Sequence, residues 1–145
     1  MAAKAKPEWV QLVHAQGEQY WLGELKRAHT SQVVYGAVLV LAIALQFVLQ
    51  GRPEIAWVAI LLSWLMIAGA TLFVGHSQSN LLPFMNAKPV THWLGIGVLA
   101  LLGCGGILWL VLFASNNKQA KDNLLATIKA SKVPPEQPIS PYPRG

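Results

Sequence analysis

Between Arg27 and Lys118 the chain carries only three formal charges, Arg52, Glu54 and Lys88, and all three fall between long apolar runs. The runs extend from Val33 to Gln50, from Ile55 to Gly75 and from His92 to Ala114. As a helix, about 18 apolar residues without a charge are enough to cross a hydrocarbon layer roughly 30 Å thick. The first run has that length, about 27 Å at roughly 1.5 Å per residue, and the other two are long enough to cross with some tilt. Each is apolar around its whole circumference, a pattern that a buried helix of a soluble protein can share. Three such runs in 145 residues, with only 12% of residues charged, leave too little polar surface for a soluble domain of this size. The mean hydropathy of +0.42 agrees. The expected fold class is an all-α integral membrane protein with three transmembrane helices, amphipathic interfacial helices on both flanks and an extended Pro-rich C-terminal tail.

The connections differ in kind. Gly51, Arg52, Pro53 and Glu54 permit only an antiparallel hairpin between the first two runs, because Pro53 interrupts a continuous helix. The second connection, residues 77–91, contains an apolar knot of Leu81, Leu82, Pro83, Phe84 and Met85 in what should be a wet loop. Such a loop either folds back onto the headgroup region or docks another subunit. As a re-entrant segment it would need protein cover for its backbone groups.

No apolar stretch follows Lys4 and Lys6 before Val33, so a signal peptide is not expected. Residues 7–29 read as one interfacial helix, started by Pro7, with Val10, Val13, Gly17, Trp21 and Leu25 recurring on one face. Trp9, Tyr20 and Trp21 are residue types that settle at headgroup level, so lying flat on a membrane is the expected role. After the third run, a short basic helix places Lys118, Lys121, Lys129 and Lys132 on one face and Leu124 and Ile128 on another. Five prolines within ten residues then favour polyproline II. The chain divides into an N-terminal interfacial segment (1–31), a three-span domain (32–114), a basic amphipathic helix (115–132) and the extended tail (133–145).

Three crossings would put the ends of the chain on opposite faces. Lys26, Arg27 and Lys88 then oppose Arg52, Lys118, Lys121 and Lys129, a small bias toward a cytoplasmic C-terminus. The net charge of +5 suits a membrane surface, and its scatter over both flanks gives no reason to expect a nucleic-acid partner. Absence of a disulfide pair is compatible with a bacterial inner membrane, with thylakoid and mitochondrial membranes also open.

No Asp, Glu, Lys or Arg lies within an apolar run, which argues against proton transport or hydrolysis at depth. Catalytic residues and a metal site are not expected, and the single Cys104 reads as a buried structural thiol. The chemical candidates are His76 and His92, which an antiparallel pair of helices would bring to one depth, as axial ligands of a haem or chlorin require. Gly95, Leu99, Gly103 and Gly106 recur down one face of the third run, a small-residue surface for close helix packing. Leu82, Pro83 and Phe84 of the knot, with Pro134, Pro135 and Tyr142 of the tail, are the candidate partner-docking residues. The function expected from these features is a non-catalytic accessory or scaffold subunit of a larger membrane complex, energy-transducing or secretory, with the bilayer and other membrane subunits as partners. The alternatives are a haem- or pigment-ligating subunit through His76 and His92, and a small pore former of the holin type.

Overall fold

The computed structural model describes residues 5–102 and 106–133. Five α-helices account for most of them: α1 (Pro7–Gln16), α2 (Glu18–Leu49), α3 (Ala56–Gln78), α4 (Pro89–Leu102) and α5 (Gly106–Ser131). Short 3-10 segments occupy Pro53–Ile55 and Ser79–Met85, and no strand occurs among the described residues. Two helical stretches, Glu18–Leu49 and Pro53–Met85, are long and apolar enough to cross a membrane.

The expected all-α class holds, but the third run does not behave as one span. α4 descends along α3, with His92 beside Gly75 at one end and the Trp64 indole donating to the Leu101 carbonyl at the other, 3.0 Å away. α5 then runs back along α2. Gly106 lies against Leu39, Phe113 stacks edge-on to Tyr35 at 5.2 Å, and Asn117 reaches the Ala28 carbonyl. The two helices are therefore antiparallel, and the described ends of the chain lie together, with Lys132 Nζ 3.1 Å from a Glu18 carboxylate oxygen. The expectation that the ends lie on opposite faces is corrected by this return. Glycines at 103, 105 and 106 put three of the run's five glycines, its weakest helix formers, into four consecutive residues. Residues 103–105 themselves, with Gly103 and Cys104, lie outside the described residues, as does the tail from 134 onward.

Two cores result. The apolar core joins Tyr35, Leu39, Ala70, Val74, Ile96 and Phe113, drawn from α2 to α5. The second core forms a cap and joins Trp9, Val13, Trp21, Ala28, Leu81, Leu82, Phe84, Met85, Ala120, Leu124 and Ile128. Helices α2 and α5 pass through both, so the segment boundaries at 31 and 114 fall inside continuous helices.

The cap corrects two expectations at once. The N-terminal stretch is not one helix, because Gly17 takes φ +87°, a backbone state that L side chains rarely adopt, and separates α1 from α2. α1 folds back along the first turns of α2, where the Trp21 indole donates to the Leu12 carbonyl at 3.1 Å. The apolar face read from Val13, Trp21 and Leu25 is present, but it packs on the chain itself rather than facing lipid. The apolar knot is its counterpart. Leu81, Leu82, Phe84 and Met85 are buried while Pro83 points outward, where its missing N–H is of no consequence.

Phe84 is fully buried between Trp9 and Trp21, its ring centroid 5.8 and 5.0 Å from theirs. Replacing such a side chain with alanine costs about 3–5 kcal/mol. Phe84→Ala is expected to lower stability by that amount in denaturant titrations of the detergent-solubilised chain, whereas Phe47→Ala, at a position 73% exposed, changes it little. Equal effects would remove Phe84 from the core.

Candidate functional site

The apolar core and the cap meet at a belt of amides. Gln78, in the last turn of α3, donates from Nε2 to Asn117 Oδ1 at 2.8 Å. That contact orients the Asn117 amide, whose nitrogen then donates to the Ala28 carbonyl at 3.1 Å and to Gln32 Oε1 at 2.9 Å. Both Gln78 and Asn117 are buried. Amide groups buried without partners are costly, and here each one's partners come from different helices, so the belt ties α3, α5 and α2 at one level. The Gln78 Oε1, Tyr35 hydroxyl and Trp109 Nε1 are buried without a hydrogen-bond partner among the described residues.

Beside the belt, α2 and α5 leave a groove of about 630 Å³, lined by Leu22, Leu25, Lys26, His29, Gln32, Ala114, Asn117, Lys118, Lys121 and Asp122. Its lining follows helical spacing on both walls, so the groove runs along the two helices. The salt bridges among the described residues are Glu24–Arg27 and Glu18–Lys132. Lys26, Lys118 and Lys121 therefore face the groove without an ion-pair partner among the described residues. A second groove, about 470 Å³, lies at the opposite end between α2 and α3, lined by Ile43, Gln46, Phe47, Leu49, Gln50, Ala56 and Ala59. There Gln46 Nε2 donates to Ser63 Oγ at 2.9 Å, and Ser63 to the Ala42 carbonyl at 3.4 Å.

The histidines share a depth, as an antiparallel α3 and α4 require, because His92 meets the residue preceding His76. The His92 Nε2 lies 3.0 Å from the Gly75 carbonyl, which can only accept, so this nitrogen is the donor in that contact. His76 is exposed in the last turn of α3. Neither ring lines either groove. Among the described residues, no group of three or more His, Cys, Asp and Glu side chains could hold a metal ion.

The small-residue surface is distributed differently from the sequence reading. Gly95 faces open space, Leu99 packs on the apolar core, and Gly106 makes its close approach to Leu39 of α2. Gly75, read as the end of a run, is a second point of close approach: a methyl group there would sit 2.8 Å from Ile96 Cγ2. Of the docking candidates, Leu82 and Phe84 are covered by the chain's own helices, Pro83 is exposed, and Pro134, Pro135 and Tyr142 lie outside the described residues.

Sequence reasoning missed the amide belt. Its signal was present: Gln32, Gln78 and Asn117 each stand within three residues of the end of an apolar run. Comparison with protein-family models, with curated proteins and with solved structures gave no match.

Losing one partner of a buried hydrogen bond leaves the other unsatisfied at a cost of about 1–3 kcal/mol. Asn117→Leu and Gln78→Leu are each expected to destabilise the chain by that amount. The double variant should lose less than the sum, because the residues act on one bond. Strict additivity in denaturant titrations would show that the belt does not couple α3 to α5.

Proposed function

We propose that the chain is an integral membrane protein and a non-catalytic accessory subunit of a larger membrane assembly. The observation that carries this reading is how little of the far ends of α2 and α3 the described parts of α4 and α5 cover. Their deepest described contacts are at Leu39 and Trp64. Beyond them, among the described residues, α2 and α3 continue as a pair on their own for about 12–15 Å at roughly 1.5 Å per residue, with Phe47 and Val48 73% and 75% exposed and an apolar groove between the helices. Lipid alone satisfies apolar side chains. Yet a groove edged by Gln46, Gln50 and small alanines is also the surface on which membrane helices associate through close packing and side-chain hydrogen bonds.

The layout supported is two crossing helices and a re-entrant pair. α4, about 21 Å long at roughly 1.5 Å per residue, is shorter than a hydrocarbon core of roughly 30 Å. All the lysines and arginines among the described residues lie at the cap end except Arg52. That asymmetry favours a cytoplasmic cap by the positive-inside rule, much more strongly than the near-balance reached with ends on opposite faces. A bacterial inner membrane suits this arrangement.

Reporter fusions at the two ends of the chain are expected to signal the same compartment, and a reporter inserted after Gly51 the opposite one. Opposite signals from the two ends would restore a three-span layout. For the subunit role, the tagged chain is purified in mild detergent, with mass spectrometry and a visible spectrum taken on one eluate. A stoichiometric set of larger membrane proteins is expected. A monodisperse monomer without companions would overturn the proposal, and an absorbance lost on His92→Ala would move the assignment to a cofactor-binding subunit.

A further inference from the structure

From the groove between α2 and α5 we infer that the chain has a built site for the headgroup of an anionic phospholipid. This rests on residence in a bilayer, as proposed above, but not on the existence of a partner complex. Among the described residues, three ammonium groups without a salt bridge, those of Lys26, Lys118 and Lys121, face one cavity whose lining includes a single carboxylate, Asp122. Lysines and carboxylates alone, three positive charges against one negative, leave an excess of +2 over the groove. A phosphodiester supplies the missing negative charge and accepts charge-assisted hydrogen bonds from lysine. The volume, about 630 Å³, falls within the range of small-molecule sites.

Phosphate is chemistry that a lipid and a free ion share, and the position of the groove selects the lipid. Lysines 26, 118 and 121 stand one to two turns beyond Val33 and Ala114, where the uncharged parts of α2 and α5 end. That is the depth of headgroups if those parts lie in hydrocarbon. Below the charges, the same two helix faces continue without a break into exposed apolar surface. Val40 of α2 and Val111 and Ile107 of α5 are 62–71% exposed, and a side chain at Gly36 would meet nothing within 4 Å. A ligand with a charged head and an acyl chain fits both halves, whereas a free anion uses only the upper one. Basic pockets between membrane helices on the cytoplasmic side bind lipid headgroups for this reason.

The test uses the full chain in detergent, titrated with phosphatidylglycerol, phosphatidylcholine and inorganic phosphate and read by native mass spectrometry. Saturable binding of one phosphatidylglycerol, tighter than phosphatidylcholine, is expected. Lys118→Gln/Lys121→Gln should weaken it roughly 30-fold, two surface charges' worth. Lys88→Gln/Lys129→Gln removes the same charge away from the groove and should weaken binding less than about threefold. Circular dichroism confirms that both variants remain helical. Equal losses from the two variants, equal affinity for the two lipids, or displacement of phosphatidylglycerol by phosphate at comparable concentration would each overturn the inference. Retention of the chain in pure phosphatidylcholine vesicles after an alkaline wash reads bilayer residence separately. Release there would defeat the membrane reading and this inference together, while retention without lipid preference defeats only the inference.

Discussion

Asn117 holds α5 against α2, and much of the remaining architecture follows from that contact. Its nitrogen is committed to Ala28 and Gln32 and its oxygen to Gln78, so three helices have one common level at which their registers agree. Once α5 is fixed alongside α2 in antiparallel sense, Leu124 and Ile128 must arrive beside Trp21 and Ala28. The Ser79–Met85 segment is then enclosed between α1 and α5, which turns an apolar loop into the floor of a core. Asn123 completes the enclosure by donating to the Phe84 carbonyl. A 3-10 segment interrupted by Pro83 has few regular backbone bonds, and an outside donor to its carbonyl supplies what the segment cannot.

The same return concentrates charge. With the start of α2 and the later turns of α5 at one level, Lys26 and His29 come to face Lys118 and Lys121 across a groove, although about ninety residues separate the two walls in sequence. Surface pairs such as Lys132–Glu18 contribute little to stability, so electrostatics is not what closes the cap. Aromatic and aliphatic burial around Phe84 does that, and the unpaired lysines are left over as a positively charged rim. In a soluble protein such a rim would be an ordinary solvated face. In the proposed bilayer, directly above uncharged helices, it would sit where counter-charges on lipids are available.

Much of the fold was legible in the sequence, though not its direction. The helical class, the Pro53 hairpin and the separate apolar face of Leu124 and Ile128 follow from periodicity and turn chemistry that act locally. The reversal between α4 and α5 does not. Gly95, Gly97 and the glycines from 103 to 106 are as compatible with a tightly packed span as with a turn, because glycine both permits close approach and weakens a helix. What decides is tertiary: Phe113 finds Tyr35 and Asn117 finds Gln78 only if the chain returns. Gly17 was hidden for a related reason, since it lies on the apolar face of the helical pattern it interrupts. His92 stands beside Gly75, the residue before His76, as antiparallel α3 and α4 require. Its orientation, turned to the Gly75 carbonyl, depends on how closely Gly75 lets α4 approach α3, which no periodicity reports.

The far end of the molecule follows from the same economy of chain. A hairpin made from a run of 23 residues, His92 to Ala114, cannot reach as deep as α2 and α3. Its two arms together have only about the length of one crossing. Below Leu39 and Trp64 the helix pair must therefore hold itself together, and Gln46, Ser63 and the Ala42 carbonyl are the polar contacts available there. Such bonds between membrane helices average well below 2 kcal/mol, a modest tie for two helices with large exposed apolar faces. In the proposed bilayer, lipid covers those faces without preference, whereas another subunit's helix adds packing that the lipid cannot. On the proposed reading, the exposed far end of α2 and α3 is thus the surface suited to assembly, while the cap is closed by its own aromatic core.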